Sequence, residues 1–242
     1  TGDGKPELVC IFDGAYGYAS PGDDPKIPWS FTPVTPKANY GQFTHGMGLG
    51  DVNGDGRVDL LEKNGWWEQS SKSGDLFKPH ALPFAASGGS QMFAYDFDGD
   101  GDNDVVSVQN AHGWGLKWFE RRGQGKDISF LPHEILPERF DEKSDSLNVS
   151  QMHALALADL DGDGVKDLIT GKRYFAHGGN DPGAHQLPLL VWFRTVREAG
   201  KVRFEPHVLG KRIGVGTQLT VRDVDGNGRP DILVGNKLGT FL

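Results

Sequence analysis

The sequence predicts an all-β fold built from repeated units of short strands, and three observations support this. A nine-residue acidic phrase recurs along the chain at intervals of 45 to 64 residues. An apolar pair typical of a buried strand follows each complete copy at once, such as Leu168-Ile169 after the copy at 159–167. The 35 glycines and 14 prolines among 242 residues suit many short strands and turns.

The acidic phrase itself indicates a metal-binding loop. Its clearest copy is Asp159-Leu-Asp-Gly-Asp-Gly-Val-Lys-Asp167, in which the two glycines allow a tight turn. Carboxylates that converge in this way repel one another unless a hard cation lies between them, and a set made only of oxygens favours Ca²⁺ over Mg²⁺. The predicted ligands of this copy are four side chains and the main-chain carbonyl of Val165: Asp159, Asp161, Asp163, Val165 and Asp167.

Three further complete copies predict three more calcium sites with the same spacing of ligands. In each, the seventh position contributes its main-chain carbonyl and the other positions contribute side chains: Asp51, Asn53, Asp55, Arg57 and Asp59; Asp96, Asp98, Asp100, Asp102 and Asp104; Asp223, Asp225, Asn227, Arg229 and Asp231. A truncated copy at 1–7 lacks its first Asp, and we expect it to hold no ion. Because the chain starts inside this copy, we also expect it to be a piece of a longer protein.

An EF-hand is the main alternative for such a loop, but it requires Glu at position twelve and a helix on each side. Position twelve is occupied here by Glu62, Ser107, Thr170 and Val234, and strand-like residues leave every loop. Calcium loops between strands resemble those of the FG-GAP/VCBS repeat family. The resemblance covers essentially the whole chain. The resemblance implies a calcium-binding β-propeller similar to the integrin α-subunit head, with a role in adhesion or recognition.

A second repeated phrase defines the propeller blades. Trp66-Trp67-Glu68 leads to Phe77-Lys-Pro-His80, and similar pairs of segments start at Trp118 and Trp192. Each blade is predicted to have four strands, A to D, with the acidic loop between A and B. In the clearest blade these are Met152–Ala158, Asp167–Gly171, Leu189–Thr195 and Val202–Leu209.

The domain prediction is a single β-propeller, or a fragment of one. Its blade pieces cover about 1–40, 41–85, 86–137, 147–210 and 214–242. The strand count runs B-C-D, then three complete blades, then A-B. Either five blades close imperfectly or the chain is part of a larger ring, and we favour a ring of about seven blades because both chain ends fall within a blade.

Strand direction predicts that the acidic loops lie on the bottom face of the disc and that a ligand site lies on the upper face. The B–C loops on the upper face are long in blades three and four, at 110–115 and 173–188, and loop insertions of this kind are where specificity usually resides. The candidate ligand-binding residues are His112, Trp114, His153, Arg173, Tyr174, His177, Asp181 and His185.

The histidines fall into three groups by position. His80, His133 and His207 share one place in strand D, which indicates a structural role. His45 and His153 share the place six residues before a loop Asp, where they would bind a ligand or cap strand A. His177 and His185, with Asp181 between them, would form a Zn²⁺ or Mn²⁺ site or be exposed and hydrogen-bonded. Arg173, Tyr174 and Trp114 would contact sugars or pack within their loops.

Charge and hydropathy narrow the class of protein. The formal net charge is −8, and 17 of the 33 acidic residues lie in the four complete copies and the truncated copy of the acidic phrase, so bound Ca²⁺ would cancel much of this charge. No basic block or aromatic-basic motif is present, which gives a nucleic-acid partner no support. No apolar run in these 242 residues is long enough to span a membrane, and we expect no signal peptide among them. We expect a secreted, periplasmic or cell-surface location, with other domains in a longer chain.

Two functions remain open from the sequence. The first is a calcium-stabilised module that binds a glycan or a protein, and the second is a carbohydrate-active lyase or dehydratase that uses upper-face histidines. The sequence carries no nucleophile elbow, phosphate loop or dinucleotide motif, so we favour the binding module. Convergence of three or more of five histidines in one upper-face pocket would favour the enzyme: His45, His112, His153, His177 and His185.

Overall fold

A computed structural model describes residues 4–85, 87–140 and 147–242. The described residues form eighteen strands and two short 3₁₀ turns, with no α-helix among them. The strands are β1 Leu8–Phe12, β2 Ala15–Ser20, β3 Ser30–Pro33, β4 Met47–Gly50, β5 Asp59–Glu62, β6 Gly65–Glu68, β7 Lys78–Ala81, β8 Gln91–Tyr95, β9 Asp104–Val108, β10 Leu116–Arg122, β11 Ser129–Leu136, β12 Leu155–Ala158, β13 Asp167–Lys172, β14 Leu189–Glu198, β15 Lys201–Lys211, β16 Leu219–Arg222, β17 Asp231–Asn236 and β18 Gly239–Phe241. The 3₁₀ turns are Gly125–Asp127 and Ala176–Gly179.

The strands form antiparallel meanders, each of which we describe as a blade. Blade one is β1-β2-β3, blade two is β4-β5-β6-β7, blade three is β8-β9-β10-β11, blade four is β12-β13-β14-β15 and blade five is β16-β17-β18. The all-β, propeller-like architecture is therefore confirmed. The ring of about seven blades stays a prediction. The predicted strand count was wrong at the C-terminal end, because residues 239–241 pair with β17 as a third strand.

Blades two and three join through their inner strands, which pair in parallel from Met47↔Gln91 to Leu49↔Phe93. Glycine makes this approach possible. A Cβ atom on Gly48 would lie well under 3.0 Å from the carbonyl oxygen of Met92, and one on Gly50 would overlap the Cβ of Ala94. The glycines of the predicted strand A therefore let neighbouring inner strands pack side by side.

The hydrophobic core is divided into layers between successive blades, as expected for a repeat protein. The layer between blades three and four is the most extensive, and it includes Phe97, Trp118 and Phe193, each at most 6% exposed. Val52 and Phe119 belong to the layer between blades two and three. The other two layers lie between blades one and two and between blades four and five. Each blade thus buries its apolar faces against its neighbours.

The repeated histidines of strand D have the structural role that their position indicates. His80 stacks on Trp66 with 4.0 Å between ring centroids, and its Nε2 lies 2.7 Å from a carboxylate oxygen of Glu68. His133 makes the same pair of contacts, with Trp118 and Glu120. In blade four the ring of His207 packs on Trp192.

Candidate functional site

The acidic loops, defined as 51–59, 96–104, 159–167 and 223–231, are held by hydrogen bonds to their own carboxylates. In the first loop, Asp51 accepts hydrogen bonds from the amides of Gly54 and Gly56 at 2.7 and 2.8 Å. Asp159 and Asp223 repeat this pattern. The glycines adopt positive φ, for example +78° at Gly54 and +82° at Gly56, which bends the backbone around the first carboxylate.

The ninth residue of each loop anchors the loop to its blade. Asp59 accepts hydrogen bonds from the amides of Val52 and Gln69, so it ties the start of the loop to the end of β6. Asp104 and Asp167 make equivalent bonds, and both side chains are buried. Burial raises the pKa of Asp59 and of Asp104 to about 6, although the backbone amides oppose this shift.

Carboxylate oxygens converge within three of the four loops. One oxygen from each member of a trio lies within 4.8 Å of the others in these groups: Asp96, Asp98 and Asp100; Asp159, Asp161 and Asp167; Asp223, Asp225 and Asp231. The loop at 51–59 has no such trio, and there Arg57 forms an ion pair with Asp55. In blade four, Arg194 reaches back from β14 to pair with Asp161 and Asp163.

The opposite face of the disc carries a second group of titratable side chains, which we call the histidine cluster: His45, His112 and His153. His45 precedes β4, His153 precedes β12, and His112 lies in the loop after β9, so three blades contribute one ring each. The Nε2 atom of His45 lies 2.9 Å from that of His112 and 3.1 Å from that of His153. The three rings meet edge to face, with interplanar angles of 66°, 74° and 90°.

Asp181 links the histidine cluster to the long loop of blade four. Its carboxylate lies 3.1 Å from the Nδ1 of His112 and 3.0 Å from the Nδ1 of His177, and it accepts a hydrogen bond from Arg173 at 3.1 Å. The ring of His177 stacks on that of His112, with 4.6 Å between centroids. Burial opposes ionisation of Asp181, but the bonds from both histidines hold its pKa below the ordinary value.

Partial burial favours the neutral form of His112 and His153. Burial, reinforced by the charges of Arg173 and of the neighbouring histidines, lowers the pKa of His153 to about 4. Burial also lowers the pKa of His112, since it outweighs the opposing hydrogen bond to Asp181. Both rings are therefore uncharged near neutral pH and have a nitrogen lone pair available to a ligand.

Strained backbone holds the cluster in place. Gln151, two residues before His153, has φ of +57°, and its amide donates to the carbonyl of Gly113 at 2.6 Å. Its side chain donates to the carbonyl of Pro182. His177 also has a positive φ, of +47°. Residues held in this region cluster at functional sites, where the surrounding structure compensates the strain.

A cleft of about 550 Å³ opens beside the histidine cluster. Arg173, Tyr174 and His177 line it from blade four, while Asn236 and Lys237 line it from blade five. Lys237 donates a hydrogen bond to the carbonyl of Phe175 at 2.7 Å, which places its cation on the rim. The cleft thus combines two cations, an aromatic ring and amide groups, a set that suits a polar, acidic ligand.

The structure separates some of the candidate residues. It brings together His45, His112, His153, His177, Arg173 and Asp181, and it places Tyr174 in the adjoining cleft. His185 lies apart and packs edge-on against Phe175, so a metal site made of His177, Asp181 and His185 does not form. Trp114 packs against Phe140, with 5.6 Å between ring centroids.

Sequence reasoning missed Lys237 as a site residue, although a signal for it was present. Lys237 follows the ninth-position Asp231 by six residues, and Arg173 follows Asp167 by the same interval. The repeat therefore predicts that both cations leave their blades at equivalent points on the upper face. A comparison of blades position by position, beyond the histidines, would have identified the pair.

The fold and the loops together define a repeat protein of propeller-like blades with acidic A–B turns. A family model described as FG-GAP-like repeat matches residues 96–170, and one described as FG-GAP repeat matches residues 215–241. A search of curated proteins gave no match. The two matches support an FG-GAP repeat family assignment, and such repeats suggest a propeller-type binding module. No helix among the described residues has both the length and the apolar character needed to cross a membrane.

Proposed function

We propose that this chain is a calcium-stabilised propeller module that binds an acidic glycan on its upper face. The observation that carries the proposal is the cleft, in which Arg173 and Lys237 face a common space with Tyr174 between loops of two blades. Cationic groups suit the carboxylate or sulfate of an acidic sugar, and an aromatic face suits its ring. FG-GAP repeats are typical of extracellular or surface proteins, which supports a secreted, periplasmic or cell-surface location.

Calcium is proposed for the acidic loops on the chemistry of their donors. The converging oxygens are carboxylates and amides, the ligands that Ca²⁺ prefers, and three of the loops bring three carboxylates together. Side chains at the first, third, fifth and ninth positions would hold the ion, and the carbonyls of Arg57, Asp102, Val165 and Arg229 would add a main-chain ligand. The ion would neutralise carboxylates that otherwise repel one another at the turn between strands A and B.

The glycan proposal is tested with uronic-acid oligosaccharides and neutral oligosaccharides of the same length, in millimolar Ca²⁺. Titration calorimetry should show binding of the acidic set only, and Lys237→Gln should weaken it by about tenfold, the loss of one charged contact. His185→Ala is the matched control, because this exposed residue lies in the same loop but does not line the cleft. Equal binding of neutral sugars, or an unchanged affinity in Lys237→Gln, would overturn the proposal.

A sugar lyase or dehydratase is the second candidate, and the convergence of four histidines favours it. His177 is the best placed general base, since its side chain is 57% exposed, lines the cleft and bonds to Asp181. Incubation with the same acidic oligosaccharides should then give an unsaturated product, detected by its ultraviolet absorbance. His177→Ala should abolish this turnover while His185→Ala retains it. Absence of any product from the folded, ligand-bound protein would exclude the lyase.

A further inference from the structure

We propose that His45, His112 and His153 bind a first-row divalent transition-metal ion, for which Zn²⁺ is the best match. The site is distinct from the acidic loops, which lie on the opposite face and offer only oxygens. It stands on the geometry of three side chains and depends neither on calcium in the loops nor on a glycan in the cleft.

The positions of the ligand atoms are the first argument. Two pairs of Nε2 atoms lie 2.9 and 3.1 Å apart, and the ligand atoms of the trio all lie within 4.8 Å of one another. Tetrahedral Zn²⁺ with bonds of about 2.0–2.1 Å separates its nitrogen ligands by about 3.3 Å. The rings are mutually inclined by 66° to 90°, which lets their Nε2 atoms point toward a common centre, although packed aromatic rings also adopt this edge-to-face arrangement.

The tautomers of the rings are the second argument. A carbonyl oxygen only accepts hydrogen bonds, so the Nδ1 of His45, at 2.6 Å from the carbonyl of Phe43, carries the proton. Its Nε2 therefore presents a lone pair to the cluster. The Nδ1 of His112 lies 3.1 Å both from a carboxylate oxygen of Asp181, to which it can donate, and from the Nη2 of Arg173, from which it can accept. In the tautomer that donates to Asp181, the Nε2 of His112 presents a second lone pair to that of His45 at 2.9 Å, and a cation between the two would remove their repulsion.

Two of the three rings have the surroundings of a metal ligand, whereas the Nδ1 of His153 is buried without a hydrogen-bond partner. A ligating histidine usually donates its other ring N–H to a carboxylate or a carbonyl, which fixes the ring. His112 and His45 have these partners in Asp181 and in the carbonyl of Phe43. Arg173 in turn bonds to Asp181 and is itself largely buried, so the second layer of the site is also fixed. Three ligands from three blades converge only in the folded propeller.

The donor set selects the class of metal. Three neutral imidazoles suit Zn²⁺ and its neighbours in the first row, whereas Ca²⁺ and Mg²⁺ require oxygen ligands. Three protein ligands leave a fourth position for water or for an oxygen atom of a ligand. His177 stacks on His112 and also lines the cleft. The fourth coordination position would therefore lie near the part of the cleft that blade four lines.

Co²⁺ is the probe for the test, with the protein in millimolar Ca²⁺ so that the acidic loops are already occupied. After treatment with a chelator and return to Ca²⁺, the protein should bind about one Co²⁺ per chain with the intense visible absorption of a four-coordinate ion. Zn²⁺ should displace it. His45→Gln, His112→Gln and His153→Gln should each weaken binding more than about 100-fold, and Asp181→Asn by about 10- to 100-fold.

His185→Ala and His133→Ala are matched controls, because both remove a histidine outside the cluster and should leave Co²⁺ binding unchanged. X-ray absorption of the cobalt-loaded wild type counts imidazole ligands directly and needs no variant, so a misfolded variant does not decide the test. Three imidazoles support the proposal. A folded wild type that does not give the cobalt spectrum would show that the three rings share only a proton and bind no metal ion. Binding that the cluster substitutions leave unchanged would also overturn the proposal.

Discussion

The Nε2 atoms of His45 and His153 lie 3.1 Å apart, although 108 residues separate the two histidines in the chain. Both precede a loop Asp by six residues, at the start of the inner strand of blades two and four. The intervening blade has the small, buried Ser90 at this place. Equivalent positions in alternate blades therefore meet above the inner strands, which is where the upper-face site is built.

Removal of calcium should destabilise the protein. A site that binds only the folded state adds about 2.7 kcal/mol at a ligand concentration 100 times its Kd, so loss of several ions should lower the melting temperature by many degrees. Differential scanning calorimetry with EGTA, and then with excess Ca²⁺, measures the fall and its reversal. Asp163→Asn should reduce the calcium-dependent gain, while Asp75→Asn, at an exposed acid outside the loops, should keep it. A melting temperature that EGTA leaves unchanged would contradict the proposal that calcium stabilises the fold.

The packing of the inner strands gives a second prediction. Gly48→Ala would place a methyl group against the main chain of Met92 in the neighbouring strand, and the backbone has no room to yield without loss of the parallel pairing. We expect a loss of more than about 2 kcal/mol in the free energy of unfolding, measured by denaturant titration. Gly22→Ala is the control, since no atom lies within 4 Å of its added Cβ. Equal stabilities of the two variants would contradict the close approach of β4 and β8.

The repeated contact between tryptophan, histidine and glutamate gives a third prediction. His133→Ala removes a ring stacked on Trp118 and a hydrogen bond to Glu120, which should cost about 1–2 kcal/mol of stability. Since these residues lie on the outer strands of blade three, ligand binding on the upper face should not change. His177→Ala is the opposite case, because its exposed ring should affect the upper face with little effect on stability. If His133→Ala changed ligand binding and His177→Ala lowered stability, the structural role would belong to His177 and the upper-face role to His133.

Local patterns in the sequence predicted much of the fold. The loop phrase fixes its own turn, because glycines at the fourth and sixth positions allow the positive φ that the bend needs. The apolar pair after each loop then predicts strand B, which is buried at every position in β5, β9 and β13. The strands predicted for blade four begin or end within three residues of those found, with β15 extending to Lys211. Strand direction also correctly separates the faces, since the acidic loops and the histidine cluster lie at opposite ends of the inner strands.

The site was harder to predict, because its members meet across blades. Spacing within one loop suggested His177 with His185, whereas the structure stacks His177 on His112 and packs His185 against Phe175. Which histidines converge depends on the rotation between blades, and no local pattern records that rotation. Lys172 on β13 is only 1% exposed. Its burial could not be predicted from the sequence either, because a lysine ordinarily indicates an exposed position.

Lys172 gives the last prediction, which concerns pH. Burial, reinforced by the charge of Arg173, lowers the pKa of Lys172 from 10.5 to about 8, against a weaker opposing effect of Asp181. Since the unfolded chain keeps its proton up to about pH 10.5, the folded state carries the full penalty of a buried charge below about pH 8. The penalty is relieved as pH rises from 8 toward 10.5, where the unfolded state binds more protons. Lys172→Met keeps the apolar stem and removes the charge, so it should raise the melting temperature at pH 7 and raise it less at pH 9.5. Lys78→Met is the control, because this lysine is exposed on β7 and its replacement should give the same small change at both values. A gain for Lys172→Met that does not shrink at the higher pH would show that the buried amine is not the source of the penalty.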